Sequence, residues 1–135
     1  MNNDIIRMTR ELAKAIVSDE IYTNYSNAKA AVECDGKLTE QTEELERLRG
    51  EYFRFQESDP VKAAGIEKQF SDLYDEIMVN PNMKTFNFAR QELDDTMTYI
   101  IGILNMSVNG HDPDTCEPDI SAGGCSGNCS GCSGC

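Results

Sequence analysis

Residues 58–81 read SDPVKAAGIEKQFSDLYDEIMVNP, and this segment gives the clearest indication of the fold class. It opens with Asp59-Pro60 and ends with Asn80-Pro81, two places where a polar side chain can cap helix amides and proline can occupy the first helical position. Between them, apolar residues recur at three- and four-residue steps, which is the period of a helix with one buried face. The members of this stripe are Ala63, Ile66, Phe70, Leu73 and Ile77. The stretch therefore predicts one helix that begins at Pro60 and another that begins at Pro81.

The same period extends outward on both sides of this stretch. Before it, three further helices are predicted, with a stop and turn at Asp35-Gly36 between the second and the third. Their stripes are Ile5, Met8, Leu12 and Ile16, then Ile21, Tyr25, Ala28 and Val32, then Leu38, Leu45, Leu48, Tyr52 and Phe55. After it, the helix that begins at Pro81 continues to about Gly110. No segment alternates with the period of a strand, so the sequence predicts an all-α fold, a bundle of about five helices with long antiparallel helices.

The end of the last helix has little polar surface. Apolar side chains occupy most of its final turns: Tyr99, Ile100, Ile101, Ile103, Leu104 and Met106. A helix that is apolar on all sides must be buried. A second chain could bury this end, or it could lie at the centre of a monomeric bundle. The sequence leaves both alternatives open.

Charge and composition limit the kinds of partner. The chain has 135 residues and a formal charge of -12, and all twelve Lys and Arg residues lie at or before Arg90. Direct nucleic-acid binding is therefore not expected, because affinity for a phosphate backbone comes chiefly from basic side chains. The N-terminus lacks the layout of a signal peptide, and the longest charge-free stretch, Thr96 to His111, is too short for a membrane span. We expect a cytoplasmic protein with a helical domain at residues 1–110 and an irregular cysteine-, glycine- and serine-rich tail at residues 111–135.

Several short sequence motifs follow one another along the predicted helices. They are Leu12-Ala13-Lys14-Ala15-Ile16 with Ser18-Asp19-Glu20, Tyr25 with Ala28-Lys29, Asp59-Pro60, Phe70-Ser71-Asp72-Leu73-Tyr74, Met78-Val79-Asn80-Pro81, and Phe86 with Ala89 and Leu93. In this order, from about Ile5 to Val108, the chain resembles the YlbF/YmcA family of bacterial helical regulators. The resemblance implies long helices that self-associate as a homodimer or larger assembly, alone or with related family proteins. It also implies a non-enzymatic adaptor role around a ribonuclease complex containing RNase Y, with effects on RNA processing, competence, biofilm formation and sporulation.

The strongest chemical signal is a run of cysteines at the C-terminus. Cys125, Cys129, Cys132 and Cys135 form C-x3-C-x2-C-x2-C, with Cys116 nine positions upstream. The last three match the C-x2-C-x2-C run of bacterial ferredoxins, whose short spacers let thiolates reach different corners of one cluster. Reducing cytosol favours such metal ligands over structural disulfides. We therefore predict an iron–sulfur cluster of the 4Fe–4S type, with Cys125 or Cys116 as the fourth ligand, and the resemblance to a family associated with such clusters agrees with this.

Other interpretations of the cysteines stay open. A four-cysteine zinc site needs the same ligands, although zinc loops usually present two separated pairs. Disulfides within the tail, or a thiol tail that binds metal without specificity, are further alternatives. Cys34 is expected to be a small buried residue, and His111 to be exposed to solvent and not a ligand.

Three functions follow from these features. The first is a regulatory adaptor whose tail holds a cluster, and the second is a metal-storage or metal-delivery protein in which the helices carry the tail. A dithiol oxidoreductase is the third, and it is disfavoured because the tail has no basic neighbour to lower a thiol pKa. The sequence has a single histidine, and its paired carboxylates are adjacent in sequence. Neither feature predicts a catalytic site.

Overall fold

The structure is a computed structural model that describes residues 2–121. Five helices account for most of that range: α1 (Asn3–Val17), α2 (Glu20–Glu33), α3 (Gly36–Phe55), α4 (Pro60–Met78) and α5 (Pro81–Val108). No strand occurs among the described residues, so the predicted all-α fold is confirmed. The chain divides between Arg90 and Gln91 into two compact units. The predicted domain boundary at Gly110 follows the end of α5 and stays a prediction.

Short polar side chains begin the helices, as the sequence indicates. The side chains of Asn2, Asp19, Asp35 and Asp59 each accept a hydrogen bond from a backbone N–H in the first turn of α1 to α4, and Asn80 does the same for α5. These bonds satisfy amides that have no partner inside the helix. One detail differs from the prediction, because Asp35-Gly36 does not form a stop and turn. Asp35 caps α3, and Gly36 is already its first residue.

The core of the first unit centres on the hairpin of α3 and α4. Residues 56–59 connect the two helices, so they run antiparallel. At this connection the Lys62 ammonium lies 3.7 Å from the centroid of the Phe55 ring, a cation–π contact. The buried side chains are Ala28, Leu38, Leu48, Ala63, Ile66, Ile77 and Ala89. All are apolar, and all except Ala89 belong to the stripes that the three- and four-residue steps predict.

A polar junction joins two helix starts in this unit. The Asp35 carboxylate accepts a hydrogen bond from the backbone N–H of Leu38 at 3.2 Å, and its other oxygen accepts one from the Asn82 side-chain amide at 3.0 Å. The Asn80 amide approaches the same oxygen at 3.4 Å while its own oxygen caps α5. One carboxylate therefore caps α3 and also holds the start of α5 beside it.

Helix α1 is the least covered helix of the first unit. It is strongly amphipathic, yet none of its residues is buried. Ile5, Met8 and Leu12 are between 42% and 61% exposed, and only Ile6 and Ile16 are partly covered. The apolar residues of α1 follow the predicted pattern, but this single chain does not bury them.

The second unit consists of the rest of α5 and the segment after it. Helix α5 ends in a Schellman motif: Gly110 has a φ of 97°, its N–H donates to the Ser107 carbonyl, and the His111 N–H donates to the Met106 carbonyl, both at 3.1 Å. Positive φ at this position is the reason for glycine, since a Cβ would be strained there. Residues 111–121, called the strap below, then turn back along α5.

Candidate functional site

Cys116 is the predicted metal ligand that lies within the described residues. A turn at Asp112 positions it, with the Cys116 N–H donating to the Asp112 carbonyl at 2.9 Å. Its sulfur lies 3.9 Å from the Ile103 carbonyl oxygen and 3.9 Å from the Ser107 hydroxyl, and the side chain is partly buried. The Ser107 hydroxyl itself donates to the Ile103 carbonyl at 2.8 Å. The Cys116 thiol therefore faces the last turns of α5.

The strap lies close to α5 because of Gly102. A Cβ placed on Gly102 would come within 2.5 Å of the Pro118 Cβ and 2.8 Å of its Cγ. Real Cβ atoms do not approach so closely, so the missing side chain of Gly102 makes room for the proline ring. Cys116 and Pro118 thus both contact α5, and the strap covers the Gly102 side of this helix.

The remaining predicted ligands, Cys125, Cys129, Cys132 and Cys135, lie outside the described residues. Within residues 2–121, no group of three or more His, Cys, Asp or Glu side chains is arranged to hold a metal ion. His111 is exposed, as predicted. The expectation for Cys34 was wrong: it is exposed, because it occupies the C-cap of α2, where the chain turns towards α3 and no helix covers it.

Among the described residues, two sets of exposed apolar side chains each follow one side of a helix. The first, called the α1 stripe below, consists of Ile5, Met8 and Leu12. The second, called the α5 seam below, consists of Met97, Ile101, Leu104 and Val108, which are 38%, 50%, 58% and 82% exposed. Contiguous exposed apolar side chains are typical of surfaces that bind other proteins. For the end of α5, the sequence leaves open burial by a second chain or burial at the centre of a monomeric bundle. The exposure of the α5 seam agrees with burial by a second chain.

Charged side chains outside these surfaces are mostly solvated. Arg47 forms ion pairs with Glu44 and Glu51 along one face of α3, and its hydrogen bond to Glu44 is the main reason that the pKa of Glu44 is lowered. These side chains are about half exposed, so the pairs contribute little to stability. The Asp35 carboxylate differs from these because it joins two helix starts. Its hydrogen bond from Asn82, followed by the one from the Leu38 N–H, holds its pKa below the ordinary value.

The order of the helices agrees with the family that the sequence resembles. The cap residues and the Asn-Pro start of the last long helix agree with it as well. The family described as "Control of competence regulator ComK, YlbF/YmcA" matches residues 5–109. The chain belongs to the YlbF/YmcA family. A comparison with curated proteins found no match. The family match ends one residue after α5, so the strap and the cysteine run of this YlbF/YmcA member lie beyond it.

Family membership indicates that this protein has a regulatory role. The family is described by the control of a competence regulator, which agrees with the predicted regulatory role. Among the described helices, none is long and apolar enough to cross a membrane.

Two features of this YlbF/YmcA member were not predicted from the sequence. One is the junction of Asp35, Asn80 and Asn82, whose signal in the sequence is limited to Asp-Gly and Asn-Pro-Asn at two helix starts. The other is the contact of Gly102 with Pro118. A glycine inside an otherwise apolar helix is a signal for close approach of another chain segment, but it does not say which segment approaches.

Proposed function

We propose that this chain is a non-enzymatic regulatory adaptor that acts through protein–protein complexes and whose C-terminal tail binds an iron–sulfur cluster of the 4Fe–4S type. The observation that carries the regulatory part is the family match over residues 5–109. The proposal of a cluster depends on the spacing of the cysteines. The complexes include self-association and related family proteins, and the regulated process is RNA processing that depends on RNase Y, with effects on competence, biofilm formation and sporulation.

Two physical features support the adaptor role. The α1 stripe and the α5 seam present apolar side chains of the kind that partner proteins cover. The formal charge of -12, and the absence of Lys and Arg from the sequence after Arg90, favour contact with a protein of the ribonuclease complex over contact with RNA. Regulation of RNA processing would then act through the protein partner.

The chemistry of the thiols supports the cluster. Soft thiolate ligands select iron–sulfur clusters, zinc and Cu(I), and a C-x2-C-x2-C run is typical of clusters. The Cys116 thiol faces α5 and is partly buried, so we favour Cys125 over Cys116 as the fourth ligand. When bound, a cluster supplies redox sensitivity and a crosslink between positions of the tail.

Anaerobic purification of the full chain tests this proposal. We expect a brown protein with visible charge-transfer absorbance and about four iron and four sulfide per cluster. Replacement of Cys125 by serine should abolish the absorbance, whereas Cys34→Ser, a matched change of an exposed cysteine far from the tail in sequence, should leave it intact. A colourless protein with stoichiometric zinc would contradict the cluster.

The second candidate is a metal-storage or metal-delivery protein for zinc or another thiophilic metal. The observation that favours it is that the cysteine run lies beyond the family match, so the tail could act independently of the helices. Deleting Ser121–Cys135 separates the two functions. A regulator should lose or change its partners in an anaerobic pull-down, whereas a delivery protein should keep its partners and lose only its metal.

A further inference from the structure

Asn109 and Gly110 form the single Asn-Gly pair of the sequence, and they lie where α5 passes into the strap. Gly110 has a φ of 97° and donates one of the two Schellman bonds, whereas the Asn109 side chain is exposed to solvent. Asparagine is chemically labile, above all before glycine, because glycine has no Cβ to hinder attack by its own backbone nitrogen. The same two residues therefore form a helix cap and a labile pair.

The hydrogen bonds of this cap hold the two reacting groups apart. The Asn109 Nδ2 donates to the Asn105 carbonyl at 2.9 Å, which directs the side-chain amide back along the helix. The Gly110 N–H donates to the Ser107 carbonyl at 3.1 Å, so its nitrogen is engaged in the closed cap. The pair therefore reacts from a state in which the last turn has opened. Helix ends open at a lower free-energy cost than the core of a fold.

The Asp35-Gly36 pair, which is open to the same ring closure, is held more firmly. The two Asp35 carboxylate oxygens accept hydrogen bonds from the Leu38 N–H and from the Asn82 side chain, which begins another helix. Reaction of Asp35 would break the junction of two helix starts, whereas reaction of Asn109 requires only that one helix end opens. The structure therefore directs this chemistry to Asn109.

We propose that Asn109 and Gly110 form a self-modification site that releases the strap. When the cap opens, the Gly110 nitrogen attacks the Asn109 side-chain carbonyl carbon, a C–N bond forms, and the bond from Cγ to Nδ2 breaks. Ammonia leaves with the proton that the Gly110 nitrogen gives up, and a five-membered succinimide remains. Water then opens the ring at either carbonyl, which yields aspartate or isoaspartate at this position. The reaction uses only the chain and water, so it is independent of the cluster and of any protein partner.

Isoaspartate changes the backbone at the end of α5. The chain then runs through the former side chain of Asn109, so one extra atom separates its Cα from Gly110. The two Schellman bonds need a fixed spacing between the last carbonyls of the helix and the N–H groups of Gly110 and His111, and the extra atom removes that spacing. The new carboxylate also lies beside the negative end of the helix dipole. The strap thus loses the cap that directs it back along α5.

Contacts further along the strap couple its position to the cap. Pro118 packs against Gly102, and the Cys116 thiol faces the Ile103 carbonyl, so the residues after Gly110 are held against α5. Opening of the cap must move these residues, and a displaced strap makes that opening easier. Loss of ammonia makes the conversion irreversible. The site therefore acts as an age-dependent switch from a closed strap to an open one.

Incubation of the full reduced chain in water enriched in heavy oxygen tests the site. We expect peptide mapping to find heavy oxygen at Asn109 and not at Asn105, which is exposed in the same helix but precedes Met106. Conversion in urea should be at least about tenfold faster, because the cap is then open. Asn109→Gln should block the reaction, because glutamine would have to form a six-membered ring. Conversion of Asn109 no faster than that of Asn105 would overturn the proposal.

Alkylation of Cys116 tests the release of the strap. In a full chain that retains Cys116 as its only cysteine, we expect conversion of Asn109 to raise the alkylation rate about tenfold, because the thiol then leaves α5. The matched control is the same chain with Asn109→Gln, aged for the same time, and its rate should not change. An aged chain that contains isoaspartate but alkylates at its original rate would overturn the switch.

A variant of the strap contact tests the coupling in the other direction. Gly102→Ala should speed the conversion of Asn109 by about tenfold, because a displaced strap no longer holds the cap closed. Gly65→Ala, with nothing within 4 Å of its Cβ, should leave the conversion unchanged. Circular dichroism checks that both variants keep their helices. Equal conversion in Gly102→Ala and wild type would overturn the coupling of strap and cap.

Discussion

The Asp35 carboxylate is partly buried and has two structural roles. It caps α3 through the Leu38 N–H and binds the Asn82 amide at the start of α5. The hydrogen bond from Asn82 is the largest cause that lowers the pKa of Asp35 below 3.8, followed by that from Leu38. A group whose pKa is lowered by folding stabilises the protein above its unfolded pKa, and this contribution is lost as pH falls through the folded pKa. The junction should therefore weaken in acid, below about pH 4.

We predict that Asp35→Asn lowers the free energy of unfolding at pH 7 and reduces its fall between pH 5 and pH 3. Asparagine can still accept the cap bond, but it lacks the charge that strengthens the bond from Asn82. Urea unfolding of both proteins at several pH values measures the effect. Asp19→Asn, which changes a cap at α2 through the Ile21 N–H, is the control for capping alone. Identical pH profiles for wild type and Asp35→Asn would contradict this role.

Gly102 is the second residue whose identity the structure explains. A Cβ there would overlap the Pro118 ring, so Gly102→Ala should displace the strap from α5. Overpacking of this kind costs about 1–3 kcal/mol. In a full chain that retains Cys116 as its only cysteine, we expect the alkylation rate of Cys116 to rise about tenfold. The control Gly65→Ala lies on α4 with nothing within 4 Å of its Cβ, and it should leave that rate unchanged.

At the scale of the helix, the sequence predicts where a helix begins better than it predicts which segments pack against that helix. The Asp59-Pro60 and Asn80-Pro81 starts were correct to the residue, because capping and the geometry of proline are local properties. Asp35-Gly36 predicts a stop in the sequence but begins α3 in the structure, because the same residue types end helices as readily as they begin them. The partners of Gly102 and Asp35 could not be predicted, since they lie 16 and 47 positions away in sequence. The stripes predict an apolar face but not whether this chain or another covers it.

The end of α5 depends on one glycine with positive φ. Gly110 allows the Schellman bonds to the Ser107 and Met106 carbonyls, and the strap leaves the helix in the direction that these bonds set. We predict that Gly110→Ala lowers the free energy of unfolding by about 1 kcal/mol, because alanine is strained in the left-handed region. Urea unfolding measures the loss, and Gly110→Asn should recover part of it, since asparagine tolerates this conformation better. An alanine variant as stable as wild type would contradict the role of this cap.

At the scale of the whole molecule, the described apolar residues fall into two classes. The first class is buried and holds the first unit together, and on the α3–α4 hairpin it comprises Leu38, Leu48, Ala63, Ile66 and Ile77. The second class is exposed and includes the α1 stripe and the α5 seam. Exposed apolar side chains add little to the stability of a single chain, so their pattern is better explained by partners than by folding. The sequence alone could not separate these classes, because both show the same three- and four-residue steps.

This division predicts opposite results for two substitutions of similar chemistry. Leu48 is 2% exposed, so Leu48→Ala should lower the free energy of unfolding by about 2–5 kcal/mol. Met8 is 61% exposed, so Met8→Ala should change it by less than about 0.5 kcal/mol while reducing recovery of protein partners from extract. Urea unfolding of the full chain measures the first quantity, and an anaerobic pull-down with quantified partners measures the second. A Met8→Ala chain as destabilised as Leu48→Ala would place the α1 stripe in the folding core and contradict its assignment to partners.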